Sequence, residues 1–163
     1  MENSKRILRR PDAPTPTVKR ETAPTAQPTV DKGVGGSSLD NMVSACATEL
    51  MNARTSIHKL HLRVQGEGSY AAHKALNEFY DALPDFADTL VEGYQGAAEK
   101  ILTYKEQTPR TLDTVADAVS YLRDIYGMVN KLQGMLPYSE IVNNLDLVKD
   151  SINSTKYKLL FLK

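Results

Sequence analysis

The feature that most constrains the fold is a set of four apolar stripes that repeat at intervals of three and four residues. This spacing matches the turn of an α-helix and places the apolar side chains on one helical face. No strand-type alternation and no Asn-Gly hairpin turn occurs in the chain. In chain order the stripes are Met42, Cys46, Leu50, Ala53, Ile57, Leu60 and Val64; Leu76, Phe79, Leu83, Phe86 or Ala87, Leu90 and Tyr94; Leu112, Val115, Val119, Leu122, Tyr126, Val129 and Leu132; and Ile141, Leu145, Val148, Ile152, Leu159 and Leu162. They predict an all-α fold, with a four-helix bundle as the default arrangement.

Glycine and hydroxyl residues mark where these helices begin and end. Gly66 and Gly68 interrupt the first stripe, and we expect Ser69 to cap the second helix and Thr111 to cap the third. Residues 99–110 form a connection of undetermined form. If that connection is extended, at about 3.3 Å per residue, it can cross a bundle about 40 Å long. The second and third helices would then run parallel.

Residues 1–36 differ in composition from the rest of the chain. Five of the eight prolines lie there, and few apolar side chains accompany them. Proline removes a backbone donor and fixes φ, so we expect an extended, irregular N-terminal arm that ends in a Gly/Ser joint. Residues 37–163 are then the four-helix bundle. Residues 1–32 carry seven basic and four acidic groups, a net charge of +3, which a net −3 over the remaining residues balances.

Side chains of the type that bind metal ions begin at the end of the first helix and continue along the second. The series is His61, His73, Asn77, Asp88 and Glu92. Imidazole together with carboxylate is a ligand set for iron, manganese or zinc. Asn77 and Asp88 are eleven residues apart, about 16 Å along a helix, so one ion cannot join them within one chain. A shared site therefore requires the first three residues from one subunit and the last two from a neighbour.

In its spacing this series resembles the ferroxidase pattern of the Dps-type miniferritins, H-x11-H-x3-D-x10-D-x3-E. The resemblance covers roughly residues 40 to 95. It implies a ferritin-like bundle, iron as the bound ion, and a site between two subunits. The chain departs from the pattern at Asn77, where the family has a carboxylate, and at Leu62, where the family has tryptophan. The connection between the second and third helices also leaves no room for the small extra helix of the family.

Several of these residues also have an ordinary structural interpretation. A single His-x3-Asn or Asp-x3-Glu pair on a helix usually belongs to a solvated face, although five positions at matching spacing are harder to explain in that way. An amide binds hard cations weakly and adds no negative charge, so Asn77 would impair a metal site. His58 is either a substitute ligand or, as we expect, an exposed histidine. Cys46 is expected to be a small buried hydrophobic residue rather than a reactive thiol.

Two functions of different classes remain. The first is a non-enzymatic assembly protein: a ferritin-like bundle that forms homo-oligomers or docks among other chains of a large complex, with its arm as the tether. Because degenerate bundles that resemble this one occur among tailed-phage proteins, a virion is one such complex. The second is an iron(II)-oxidising, iron-storing and DNA-protecting miniferritin. We favour the first because Asn77 replaces a site carboxylate.

The charge of the arm and the hydropathy of the chain limit the kinds of partner that this protein can bind. Six of the seven basic side chains of the arm are candidates to bind a protein partner or nucleic acid: Lys5, Arg6, Arg9, Arg10, Lys19 and Arg20. Because acids are interleaved with them, DNA binding through the arm is expected to be weak.

No apolar run approaches the roughly 20 residues of a membrane span. No hydrophobic signal segment follows Met1, so we expect synthesis in the cytoplasm, with later incorporation into a virion as one outcome.

Overall fold

The computed structural model describes residues 37–162, and these residues form four α-helices without a β-strand. The helices are α1 (Ser38–His61), α2 (Ser69–Ala98), α3 (Val115–Gln133) and α4 (Ser139–Phe161). The prediction of an all-α, four-helix fold is therefore confirmed for this part of the chain. The predictions made for residues 1–36, including the extended arm and its basic side chains, lie outside the described residues.

The first helix begins with a serine cap. The Ser37 hydroxyl accepts a hydrogen bond from the Asp40 amide, and the Asp40 carboxylate accepts one from the Ser37 amide. This reciprocal pair satisfies two amide donors that would otherwise lack a partner at the start of α1. Its negative charge also lies at the positive end of the helix dipole.

Two predicted caps are wrong by a few residues. The residue that precedes α2 is Gly68 rather than Ser69, because the chain enters this helix with a φ of 72°, a conformation that glycine adopts without strain. The residue that caps α3 is Thr114 rather than Thr111, and its partner in a second capping box is Asp117. The chain before Thr114 is not helical, so α3 starts one turn later than the sequence predicts.

The apolar stripes form one core between the helices. Leu83 and Leu122 are fully buried, and Cys46 is buried as expected, which raises the pKa of its thiol to about 12. In the second stripe Ala87 is buried and Phe86 is only half-buried, so Ala87 is the core residue. The prediction that Leu162 belongs to the core is wrong. Helix α4 ends at Phe161, and the Leu162 side chain lies exposed beyond it.

The connection between α2 and α3 is extended and follows α1 from one end to the other. Lys100 pairs with Asp40 at the start of α1, at 2.6 Å. The Asn52 amide donates to the carbonyl of Gln107 near the middle of α1, at 3.3 Å.

At the far end of α1, Arg63 pairs with Asp113, at 3.1 Å. This extended segment therefore crosses the length of the bundle, which the sequence left open, and α2 and α3 begin at the same end and run in the same direction.

The four helices form a ring in which α1 packs against α2 and α3, and α4 packs against the same two helices. Lys158 near the end of α4 pairs with Glu78 near the start of α2, so these two helices are antiparallel. None of the four helices within residues 37–162 has both the length and the hydropathy of a membrane-spanning segment.

Truncation of the core should separate buried from exposed positions. We expect Leu83→Ala and Leu122→Ala each to lower the free energy of unfolding by roughly 2–5 kcal/mol, because each leaves a cavity in a packed core. Lys74→Ala and Arg63→Ala should each change it by less than about 1 kcal/mol, because both side chains are exposed. Urea denaturation followed by circular dichroism measures both sets. Equal losses at all four positions would contradict the assignment of the core.

Candidate functional site

The five predicted ligand positions lie on the last turn of α1 and along α2. His61 is the final residue of α1 and is buried, with 6% of its surface exposed. His73, Asp88 and Glu92 are exposed and Asn77 is half-buried. The α2 positions therefore flank the buried apolar stripe of that helix rather than lie within it.

The structure brings His61 and His73 into direct contact. Their Nε2 atoms are 3.0 Å apart and their rings stack with centroids 3.8 Å apart. The Nδ1 atom of His73 lies 3.2 Å from the backbone carbonyl oxygen of His61. Because a carbonyl oxygen only accepts hydrogen bonds, Nδ1 of His73 carries the proton there. In the neutral ring Nε2 of His73 then presents a lone pair to His61.

This geometry permits two arrangements at the Nε2 atoms. In the first, Nε2 of His61 carries a proton and donates it to His73, which leaves Nδ1 of His61 as a bare acceptor. That Nδ1 atom is buried and has no hydrogen-bond partner among the described residues. In the second, Nδ1 of His61 is protonated and both Nε2 lone pairs converge on one cation, with the His73–carbonyl hydrogen bond fixing the ring orientation.

Two further rings surround the histidine pair. His58 stacks on Tyr80 with ring centroids 4.2 Å apart, and Tyr80 presents its edge to His61 at 5.2 Å. His58 is exposed, as expected, and its ring centroid lies 5.6 Å from that of His61. Tyr80 was not predicted to belong to this cluster. Its position seven residues after His73, two helical turns along α2, is the signal that identifies it.

Both ends of the Asn77 amide are engaged within α2. The Tyr80 hydroxyl donates to Oδ1 of Asn77 at 2.9 Å, and Nδ2 of Asn77 donates to the Asp81 carboxylate at 2.8 Å. Asp81, the second residue that the sequence analysis missed, lies one helical turn after Asn77. An aspartate at position 77 could not donate to Asp81, so the asparagine completes a hydrogen-bond network that an aspartate there would break.

Asp88 and Glu92 do not join the histidines within one chain. Asp88 lies eleven residues beyond Asn77, about 16 Å along α2. Among residues 37–162, no group of three or more histidine, cysteine, aspartate or glutamate side chains is arranged to hold a metal ion. One chain therefore offers two imidazole nitrogens, which do not by themselves fit iron. The implied site could only be completed by carboxylates from another chain.

Burial and positive neighbours both favour the neutral form of His61. Burial lowers its pKa most, and proximity to His73 and then to His58 lowers it further, while Asp81 opposes the shift. Since the folded-state pKa lies below the unfolded value, the unfolded chain binds more protons than the folded chain at moderately acidic pH. Stability from this group is therefore present above about pH 6.5 and is lost as the pH falls.

We expect the free energy of unfolding to decrease as the pH falls from about 7 to 5, and His61→Asn to remove most of that decrease. His58→Asn, at the exposed neighbouring histidine, should retain it and serves as the matched control. Urea titrations at each pH, with a chelator present, measure the dependence. An unchanged slope in His61→Asn would show that another group causes it.

Comparison with known proteins places the chain in a family without assigning it an activity. No curated protein and no solved structure matches the chain. One family model matches residues 61–159, which is more than half of the chain and extends from the last residue of α1 to nearly the end of α4. The matched range includes all five candidate ligand positions. The chain belongs to DUF5856, a family of unknown function.

Proposed function

We propose that this protein is a non-enzymatic assembly protein: a ferritin-like bundle that docks into a large complex containing copies of itself, with its N-terminal segment as a tether. The observation that carries the proposal is a group of exposed apolar side chains near one end of the bundle, which we call the apolar end. It consists of Leu62, Tyr70, Tyr157, Leu160, Phe161 and Leu162, all exposed.

The apolar end combines residues from two parts of the chain. Tyr157 and Phe161 are 57% and 69% exposed, and their rings lie 5.7 Å apart on successive turns of α4. Leu162 lines a cavity of about 520 Å³ together with Arg63 and Ser69, the sequence neighbours of Leu62 and Tyr70. Single exposed apolar residues are common, but a group of this kind is typical of a surface that contacts another protein.

The helix order supports the ferritin-like part of the proposal. A long connection along α1, parallel α2 and α3, and antiparallel α2 and α4 are the arrangement that the resemblance implies. The Asn77 network supports the non-enzymatic part. The amide removes one negative charge from the site, and its oxygen already accepts a hydrogen bond from Tyr80. A virion is one large complex in which such a building block would serve.

The assembly can be tested through the apolar end. We expect the full chain to sediment above its monomer mass of 18.1 kDa. Tyr157→Glu combined with Phe161→Glu should weaken association by at least about 100-fold, because burial of each aromatic side chain contributes about 1.5–3 kcal/mol and about 1.4 kcal/mol is a factor of ten. Asn153→Glu combined with Ser154→Glu, on the same helix and with the same change in charge, is the control. A wild-type chain that stays monomeric at every concentration would refute the proposal.

The second candidate is an iron(II)-oxidising miniferritin, and the contact between the two histidines favours it. Nε2 atoms 3.0 Å apart are well placed to share a cation. In that function a neighbour's Asp88 and Glu92 would complete the site. Two iron(II) ions would each give one electron to dissolved dioxygen, which would take up two protons and leave as hydrogen peroxide.

Iron(II) oxidation followed by absorbance separates the two candidates. We expect the wild type to oxidise iron(II) little faster than buffer does, because the site lacks the family's carboxylate. Asn77→Asp restores that charge and should increase the rate if subunits already place Asp88 and Glu92 opposite the histidines. Asp88→Ala is the control. Fast wild-type turnover that Asp88→Ala abolishes would make the protein a ferroxidase, and no activity in any variant would leave the histidine–carboxylate series as ancestry alone.

A further inference from the structure

A narrow apolar groove lies between α2 and α4, away from both the histidine pair and the apolar end. Its volume is about 150 Å³, and Phe86, Leu90, Leu145, Leu147 and Val148 contribute to its lining. An apolar cavity of that size accepts a group as large as benzene, so one leucine or isoleucine side chain fits. Leu147 lines the groove and is 59% exposed.

The α2 side of this groove is strongly acidic. Glu78, Asp81, Asp85, Asp88 and Glu92 follow one another at alternating intervals of three and four residues, which places them along one exposed face of α2. Asp85 itself lines the groove. We call these five residues the acidic stripe.

Most of the acidic stripe is not neutralised within the described chain. Glu78 pairs with Lys158 and Asp81 accepts a hydrogen bond from Asn77. Asp85, Asp88 and Glu92 make no ion pair with any residue of 37–162. Like charges at these helical spacings repel one another, so the folded chain is destabilised by them until cations approach. The groove therefore presents an apolar slot beside uncompensated negative charge.

The chain contains a segment with the complementary chemistry. Residues 5–10 read Lys-Arg-Ile-Leu-Arg-Arg, and they form the densest group of cations in the sequence. Glu2 is the only acid within the first ten residues. Ile7 and Leu8, the two apolar side chains, stand between the two pairs of cations, so one of them can enter a small slot while the arginines reach carboxylates on its edge. Arginine suits that role because its guanidinium binds carboxylates through two hydrogen bonds.

We propose that the α2/α4 groove of one copy binds the Lys5–Arg10 segment of a second copy. Ile7 or Leu8 occupies the apolar slot, and Arg9 and Arg10 contact Asp85 and Asp88. This inference rests on the proposed function, in which the N-terminal segment joins copies, and it names the surface that receives that segment. Residues 11–36 separate the segment from α1, a length that can extend at most about 90 Å, which is ample to reach a neighbour.

A charge exchange between copies tests this directly in the full-length chain. The arm variant carries Arg9→Glu and Arg10→Glu, and the groove variant carries Asp85→Lys and Asp88→Lys. In either variant alone, the segment and the groove carry charges of the same sign, so they repel each other in every contact between copies. Mixed together, they restore opposite charges in both directions, acidic segment on basic groove and basic segment on acidic groove. We expect each variant alone to have a lower average mass than the wild type in sedimentation, and the mixture to regain the wild-type mass.

Matched controls separate this contact from general effects of charge. Arg123→Glu with Lys131→Glu, both exposed on α3, reproduces the charge change of the arm variant. Glu99→Lys with Glu106→Lys reproduces that of the groove variant, also at exposed positions. Both controls should keep the wild-type mass, and raised salt should weaken the wild-type contact because it screens the charges. Circular dichroism establishes that all variants remain folded.

A photo-crosslinker at Leu8 in an equal mixture of light and isotopically heavy chains provides a second readout. Crosslinks that join light to heavy peptides, with residues around Leu147 as the target, are the expected result. Crosslinks only within chains of one isotope would mean that the segment folds back on its own copy, and would overturn the inference. So would a wild-type mass in both variants alone, or capture of Leu8 by added DNA instead of the groove. Assembly that persists in both variants would refute this contact and leave the proposed function intact.

Discussion

The arrangement of the whole bundle depends on how the segment between α2 and α3 is held against α1. This segment has almost no backbone hydrogen bonds of its own, so side chains at its two ends and its middle fix its path. At one end Asp40 accepts hydrogen bonds from Lys100 and Tyr94, both at 2.6 Å. Burial alone would raise the pKa of Asp40, but hydrogen bonds from Lys100, Tyr94 and Ser37 outweigh it and hold that pKa well below its usual range. The carboxylate therefore stays charged and keeps α2, α1 and the connection together.

Arg110 has a similar role in the middle of the connection. Its guanidinium lies 4.5 Å from the ring centre of Tyr121, 3.6 Å from the carboxylate of Glu49 and 2.6 Å from that of Asp124. Burial, and then the negative charge of Glu49, raise the pKa of the Tyr121 hydroxyl. Without Arg110 the Glu49 carboxylate would be largely buried with no opposing charge, which is strongly unfavourable. One residue of the connection thus makes it possible for α1 and α3 to pack with an acid between them.

Sequence reasoning succeeded where the controlling interaction is local. The stripes that contain Leu83 and Leu122 predicted the helices and their buried faces correctly, because helical periodicity can be recognised within one continuous segment. One local signal was missed: α3 is capped by Thr114 rather than by Thr111 because the Asp117 carboxylate completes a capping box with Thr114. The sequence placed His61 and His73 in one candidate site but did not predict that their rings are in direct contact. Stacked rings and the Asn77 network depend on how two helices meet, which no spacing within one helix reveals.

Asp88 and Glu92 have a role in both proposed functions, the miniferritin and the docking protein. In the miniferritin interpretation they face a neighbour's histidines, and in the docking interpretation they belong to an acidic stripe that faces a neighbour's cations. Both contacts need a second copy, but the same two carboxylates cannot serve both at once. The 3–4 spacing continues without interruption through Glu78, Asp81 and Asp85, which the ferroxidase pattern does not require. A continuous stripe is what a cationic segment needs, whereas a metal site needs only its last two members. Glu78, Asp81 and Asp85 therefore favour the docking interpretation of this face of α2 over the metal-binding one.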